Sequence, residues 1–166
     1  LFRSARSSRI RHIYNGVALK KEERIEKVPN LRKLFNLPSG PLCLMMATYE
    51  PRKGHDFLFG AFALVKAAVP DAQLVVCGDS TAAEKQAVER LRAASPVGSS
   101  IHLADYISHG AELVAQADVL LVASQYWESF GWTVIEAMVR KVPVVSTNVG
   151  GLPEVVGPPG LAGFTV

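Results

Sequence analysis

From Pro41 onward, short apolar runs alternate with segments of helical period, and that alternation limits the folds open to the chain more than any other feature. The runs are LCLMMAT (42–48), AQLVVCG (72–78), IHLA (101–104), DVLLVAS (118–124) and PVVST (143–147). Being short, apolar throughout and bounded by Pro, Gly, Asp or Ser, they read as strands buried on both faces. The segments between them read as helices. Phe57, Leu58, Ala61, Phe62, Val65 and Ala68 form one stripe of the first, while Val88 and Leu91 anchor the second, which opens on a capping box from Thr81 to Glu84. A short third helix is expected near Glu112 to Gln116 and a fourth from about Trp132 to Arg140. Strand-helix-strand order of this kind implies right-handed crossovers, hence an α/β fold with a doubly wound, Rossmann-like parallel sheet and helices on both faces.

With 166 residues, 49% of them apolar, the chain has material for one well-buried core. We expect a linker with one strand and a short helix over 1–40, including IRHIYNGV and LRKLF, and the Rossmann-like domain over 41–166. GPPGLAGFTV reads as one more strand with no closing helix after it, so a domain cut from a longer protein is expected. No apolar run approaches the roughly 20 residues that cross a bilayer, and no signal-peptide order is present, so a soluble, cytoplasmic protein is the expectation. Cys43 and Cys77 lie inside strand-like runs and read as small core residues. A net charge of +3 is too small to argue for nucleic acid. Its excess sits early, at Arg3, Arg6, Arg9 and Arg11; this segment reads as a solvated linker or as a patch for acidic lipid, which keeps peripheral membrane association open.

In a doubly wound sheet, ligands sit beyond the carboxyl ends of the strands. The loops expected there are TYEPRKGHD, GDST, DYISHG, SQYWESFG and NVGGLPE. Arg52 and Lys53 put a forked donor and an ammonium beside a helix amino end, a combination suited to a diphosphate, although an ordinary solvated loop would look the same. Neither G-x-G-x-x-G nor the P-loop pattern occurs. His12, His55, His102 and His109 are scattered and read as surface or loop residues, so no metal site is expected. In ESFGWTVIEAM (128–138), Glu128 lies just outside a helix, where it can accept hydrogen bonds from ligand hydroxyls, and Glu136 lies inside it. Phe130 and Gly131 turn the chain and expose amides. A helix-dipole carboxylate beside a solvated one is the plainer alternative. Tyr126, Trp127 and Trp132 read as packing aromatics before sugar-stacking ones.

EPRKG, ESFGWTVIEAM and VGGLPEVV, in this order, together with YNGV near the start, resemble the C-terminal, donor-binding domain of retaining GT-B glycosyltransferases of family 4. The resemblance implies one half of a GT-B fold that binds a nucleotide-diphosphate sugar without metal or other cofactor. Its partner is an N-terminal acceptor-binding domain of the same protein. It implies that Arg52 and Lys53 bind the diphosphate, that Glu128 holds the transferred sugar and that Glu136 holds the ribose. Backbone from Phe130 through Gly131 and Trp132 to Thr133 lies near sugar and phosphate, Tyr106 and Ile107 meet the base, and Gly78 and Asp79 complete the binding set. Ala47 and Asp105 stand where the family often has Gly. A non-catalytic nucleotide-sugar module, or another GT-B enzyme such as an epimerase or phosphorylase, is the alternative.

Overall fold

The computed structural model describes residues 28–166 together with Arg11, Ile13, Asn15 and Gly16. The expected strand IRHIYNGV and the basic residues Arg3, Arg6 and Arg9 lie outside the described residues, apart from the four just named. Six strands form one sheet: β1 (Leu42–Met46), β2 (Gln73–Cys77), β3 (Ile101–Ala104), β4 (Val119–Val122), β5 (Val144–Ser146) and β6 (Gly163–Thr165). Every pairing is parallel, and the order across the sheet is β3-β2-β1-β4-β5-β6. All five interior runs and the C-terminal one are therefore strands, as their composition implies.

Side chains alternate across the sheet with period two. Leu42, Leu44, Val75 and Cys77 face one core, while Cys43, Met45, Leu74 and Val76 face the other. The first core is closed by α1 (Leu31–Leu34), α4 (Gly110–Val114), α5 (Trp132–Val139) and α6 (Leu152–Val156), through Leu31, Leu113, Val134 and Leu152. The second is closed by α2 (His55–Ala68) and α3 (Ala82–Ala94), through Leu58, Phe59, Phe62 and Val88. Burying each of these large side chains contributes about 1.5–3 kcal/mol, so Leu44→Ala at the sheet centre would cost about 2–5 kcal/mol. α3 begins with the expected capping box, Thr81 and Glu84 bonding reciprocally.

Several packing expectations fail. α2 is apolar almost all round, and its buried face runs through His55, Leu58, Phe59 and Phe62, leaving Phe57 and Val65 exposed. Leu91 is also exposed, so Val88 alone anchors α3. The third helix starts earlier than expected, at Gly110. His55 is not a surface histidine: it opens α2 directly after Gly54 and is only 2% exposed. His102 sits half-buried in β3, its Nε2 within 2.9 Å of the Gln73 side chain.

Candidate functional site

β1 and β4 are neighbours whose connections leave toward opposite faces of the sheet, which opens a crevice at their carboxyl ends. The loops leaving them are locked together. Gln125 N–H donates to Arg52 O at 2.9 Å, and a Cβ on Gly54, whose φ is 73°, would collide with the Ala123 carbonyl. The loop after β5 clamps the loop after β4 from the other side, through Gly151 N–H to Glu128 O at 2.8 Å. Gly150 presses so closely on the Glu128 backbone that no side chain fits there. Tyr49, fully buried, donates its hydroxyl to Ala104 O at 2.6 Å, with Val76 O at 3.3 Å, and so moors the first loop to β2 and β3.

Arg52 and Lys53 belong to a 3₁₀ turn, Pro51–Lys53, in which successive side chains diverge by about 120°. Their fates differ accordingly. Lys53 Nζ donates to Glu128 Oε2 at 2.5 Å, and Ser124 Oγ donates to the same oxygen at 3.1 Å. Both members of this ion pair are largely buried. Arg52 turns away: its Nε donates to Glu50 Oε2 at 2.6 Å, its Nη2 to Glu50 Oε1 at 3.3 Å, and its guanidinium lies 4.6 Å from the Trp127 ring centroid. Hydrogen bonds from Arg52 and then Thr48 hold the Glu50 carboxyl below the usual carboxylate range. Beneath the turn, burial pushes His55 down to about 4, so it stays neutral next to Lys53.

Two clefts open here. One, of about 180 Å³, is lined by Lys53, Ser124, Glu128, Gly131, Trp132 and Thr133 over an apolar floor from β1 and β4. The other, of about 340 Å³, is lined by Thr48, Gly78, Asp79, Tyr106, Ile107 and Thr133. They share Met46, Ala47 and Thr133, so one ligand could span both. α5 points its amino end at the first cleft. It starts from Gly131 at φ 75° with no side-chain cap, which leaves first-turn amides for an anion.

The structure thus gathers Lys53, Glu128, Gly131, Trp132 and Thr133 in one cleft and Gly78, Asp79, Tyr106 and Ile107 in the next. Arg52 lines neither, and Phe130 turns into a separate cavity beside Ile135 and Met138, its ring edge-on to Trp132 at 5.2 Å. Glu136 also lines neither; a Cβ on Gly110 would meet its carboxylate at 3.4 Å. Burial, and then the Glu112 carboxylate, raise its proton affinity, Glu112 itself accepting from Arg140 at 2.6 Å. Among the described residues no three His, Cys, Asp or Glu side chains converge as metal ligands would. Sequence reasoning passed over Ser124, Glu50 and Thr48. The signal for Ser124 was present, a hydroxyl at a strand end four residues before Glu128; nothing in the sequence marked the other two.

Residues 28–166 match the family described as glycosyl transferases group 1. Over 98% of its length the chain is 28% identical to the phosphatidyl-myo-inositol mannosyltransferase of Propionibacterium freudenreichii, and it spans 42% of that relative. The crystal structure of Anabaena HepE in complex with UDP superposes with a TM-score of 0.73 at 22% identity, covering 82% of this chain and 37% of that one. The C-terminal domain of the group 1 glycosyl transferase LpcC from Francisella tularensis gives 0.67 at 23% identity, covering 81% of this chain and 71% of that one. Both structures share the Rossmann-like α/β fold of GT-B transferases. With that fold in place and the family match running from residue 28 to residue 166, the chain belongs to the group 1 glycosyl transferases.

Proposed function

We propose that this chain is the donor-binding half of a family 4 retaining glycosyltransferase, with residues 41–166 holding a nucleotide-diphosphate sugar across the two clefts. A single arrangement carries the reading: the Lys53 ammonium, the Glu128 carboxylate and the uncapped amino end of α5 meet in one small cleft that runs into a larger, mainly apolar one. The larger cleft suits a nucleoside, with Tyr106 and Ile107 toward the base. In the smaller cleft, Lys53 and the α5 amides face the diphosphate and stabilise charge as it departs, which is how a cation and oriented amides lower such a barrier without a metal. Glu128 orients the transferred sugar by accepting from its hydroxyls, a placement whose loss by about 1 Å can cost a hundredfold in rate.

The acceptor, whose hydroxyl receives the sugar, is held by an N-terminal domain of the full-length protein, which is expected because the chain spans only 42% of its mannosyltransferase relative. The names of the relatives, among them that mannosyltransferase, support a role in glycolipid or polysaccharide assembly. The HepE complex supports a nucleoside diphosphate as ligand. No described helix is long and apolar enough to cross a membrane. Calorimetry with UDP, GDP and ADP and their sugars, with and without chelator, tests the reading. Binding of at least one nucleotide, unchanged by chelator, is the expected result. A folded chain that binds none at millimolar concentration removes the donor site, and a chelator that abolishes binding removes the metal-free mechanism.

A further inference from the structure

Two cations follow one another in the turn after β1, yet only Lys53 reaches the diphosphate position. We infer that Glu50 is an internal counter-ion that stores Arg52 against Trp127, outside both clefts, and releases it to an incoming diphosphate, so that Glu50 sets how tightly the chain holds its nucleotide. The inference rests on the donor-binding reading and deepens it.

Three observations carry it. First, the backbone of the turn cannot carry Arg52 inward. It is fixed by Gln125 N–H on Arg52 O, by the close contact of Gly54 with Ala123, and by the buried Tyr49 hydroxyl on Ala104 O. Any approach of the guanidinium to a ligand must therefore be a side-chain rotation. Second, the store is occupied but exchangeable. Arg52 and Glu50 side chains are 25% and 37% exposed, so the pair is within reach of solvent and ligand, and a diphosphate offers the guanidinium denser charge and more acceptor oxygens than one carboxylate. Third, Glu50 stands at the cap position of the 3₁₀ turn without capping it. Its carboxylate is instead taken up by Arg52 and by the Thr48 hydroxyl at 2.7 Å, and Thr48 also lines the nucleoside cleft. The store is thus tied to the wall of the cleft it serves. It also accounts for Trp127, a large and mostly exposed aromatic whose ring is the rest for the guanidinium.

A ligand that needs Arg52 free binds with an affinity reduced by the fraction of time Arg52 is free. Removing the carboxylate while keeping its shape should therefore strengthen binding. By calorimetry with UDP and GDP, Glu50→Gln is expected to bind about fivefold to tenfold more tightly than the unaltered chain. Trp127→Leu should give a smaller gain in the same direction, and it carries the test if Glu50→Gln folds poorly. Arg52→Ala should weaken binding, and in the Arg52→Ala background Glu50→Gln should gain at most about twofold, from removal of a nearby negative charge. The gain in the single variant should shrink at high salt. Equal or weaker binding by both Glu50→Gln and Trp127→Leu overturns the inference while leaving the donor site standing, because Arg52 would then be a structural tether of the turn. A full gain that persists without Arg52 overturns it equally. Binding by none of the chains overturns the donor-site reading and this inference with it.

Discussion

Glu128, in the loop after β4, shares one oxygen between the Lys53 ammonium at 2.5 Å and the Ser124 hydroxyl at 3.1 Å. Glu136, on α5, is half-buried beside a second acid, Glu112, and burial and then that acid raise its proton affinity. One glutamate is held by a cation inside a cleft that a sugar could enter. The other does not line either cleft but lies beside Gly110, which packs on Met46 of the shared cleft floor, and the Arg140 guanidinium on its own helix end is engaged with Glu112 instead. Eight residues of sequence thus separate an acid paired with a cation from an acid set beside another acid. Residue type alone says nothing of this difference; the neighbours of each carboxylate decide it.

Removing the cation breaks the comparison most severely. Lys53→Ala leaves Glu128 largely buried and unpaired, costing about 1–3 kcal/mol of stability, and deletes a charged bond to the diphosphate worth about 1.5–3 kcal/mol. Melting curves together with UDP and GDP titrations measure both; unchanged nucleotide affinity would take Lys53 out of the site. Glu128→Gln comes next. On the proposed reading it should weaken the nucleotide sugar about tenfold or more and spare the free nucleoside diphosphate, the carboxylate being assigned to the sugar alone. Equal weakening of the two ligands would end the assignment of Glu128 to the sugar. Glu136→Gln should weaken both ligands together, by about tenfold, the lower end for a charged hydrogen bond; if neither ligand responds, Glu136 does not hold the ribose.

The smallest effect is on stability. The Glu136 carboxyl has a folded pKa raised above its unfolded value, so the folded chain binds its proton more readily than the unfolded chain does. The stabilisation this gives is complete below the unfolded value, near pH 4.5, and is lost as pH rises through the folded one. Glu136→Gln, which cannot ionise, should therefore raise the melting temperature modestly at pH 7 and hardly at pH 4. An equal shift at both values would mean that ionisation of Glu136 is not the source of the effect.

The sheet was legible because six apolar runs between turn residues have few other ways to be buried, and the capping box at Thr81 is a local device that needs no tertiary context. Which face of α2 turns inward was not legible. That helix is apolar almost all round, so periodicity offered Phe57 and Val65 as readily as Phe59, and the packing against β1 and β2 chose. His55 was misjudged for a related reason: its burial follows from the left-handed Gly54 that folds the helix start under the turn. At the site, the motifs singled out loops that the fold does bring to one sheet edge, but adjacency in sequence hid the divergence of Arg52 and Lys53. A 3₁₀ turn sends neighbouring side chains to different places, and only the positions of Glu50, Trp127 and Glu128 decide which cation enters the cleft and which stays outside it.

The phenol of Tyr49 has a consequence for which ligands the chain can measure. The turn bearing Lys53 begins just after Tyr49, and Tyr106 follows shortly after Ala104, the residue whose carbonyl the phenol holds at 2.6 Å. Both ends of the double cleft are therefore gauged from one residue, whose phenol bond in a dry core is joined by its own N–H on Asp79 O at 3.1 Å, and neither can drift from the other without breaking these ties. On the proposed reading, that makes the site a calliper of fixed opening. A nucleoside diphosphate should then bind more tightly than the matching monophosphate, which titration of UDP against UMP measures.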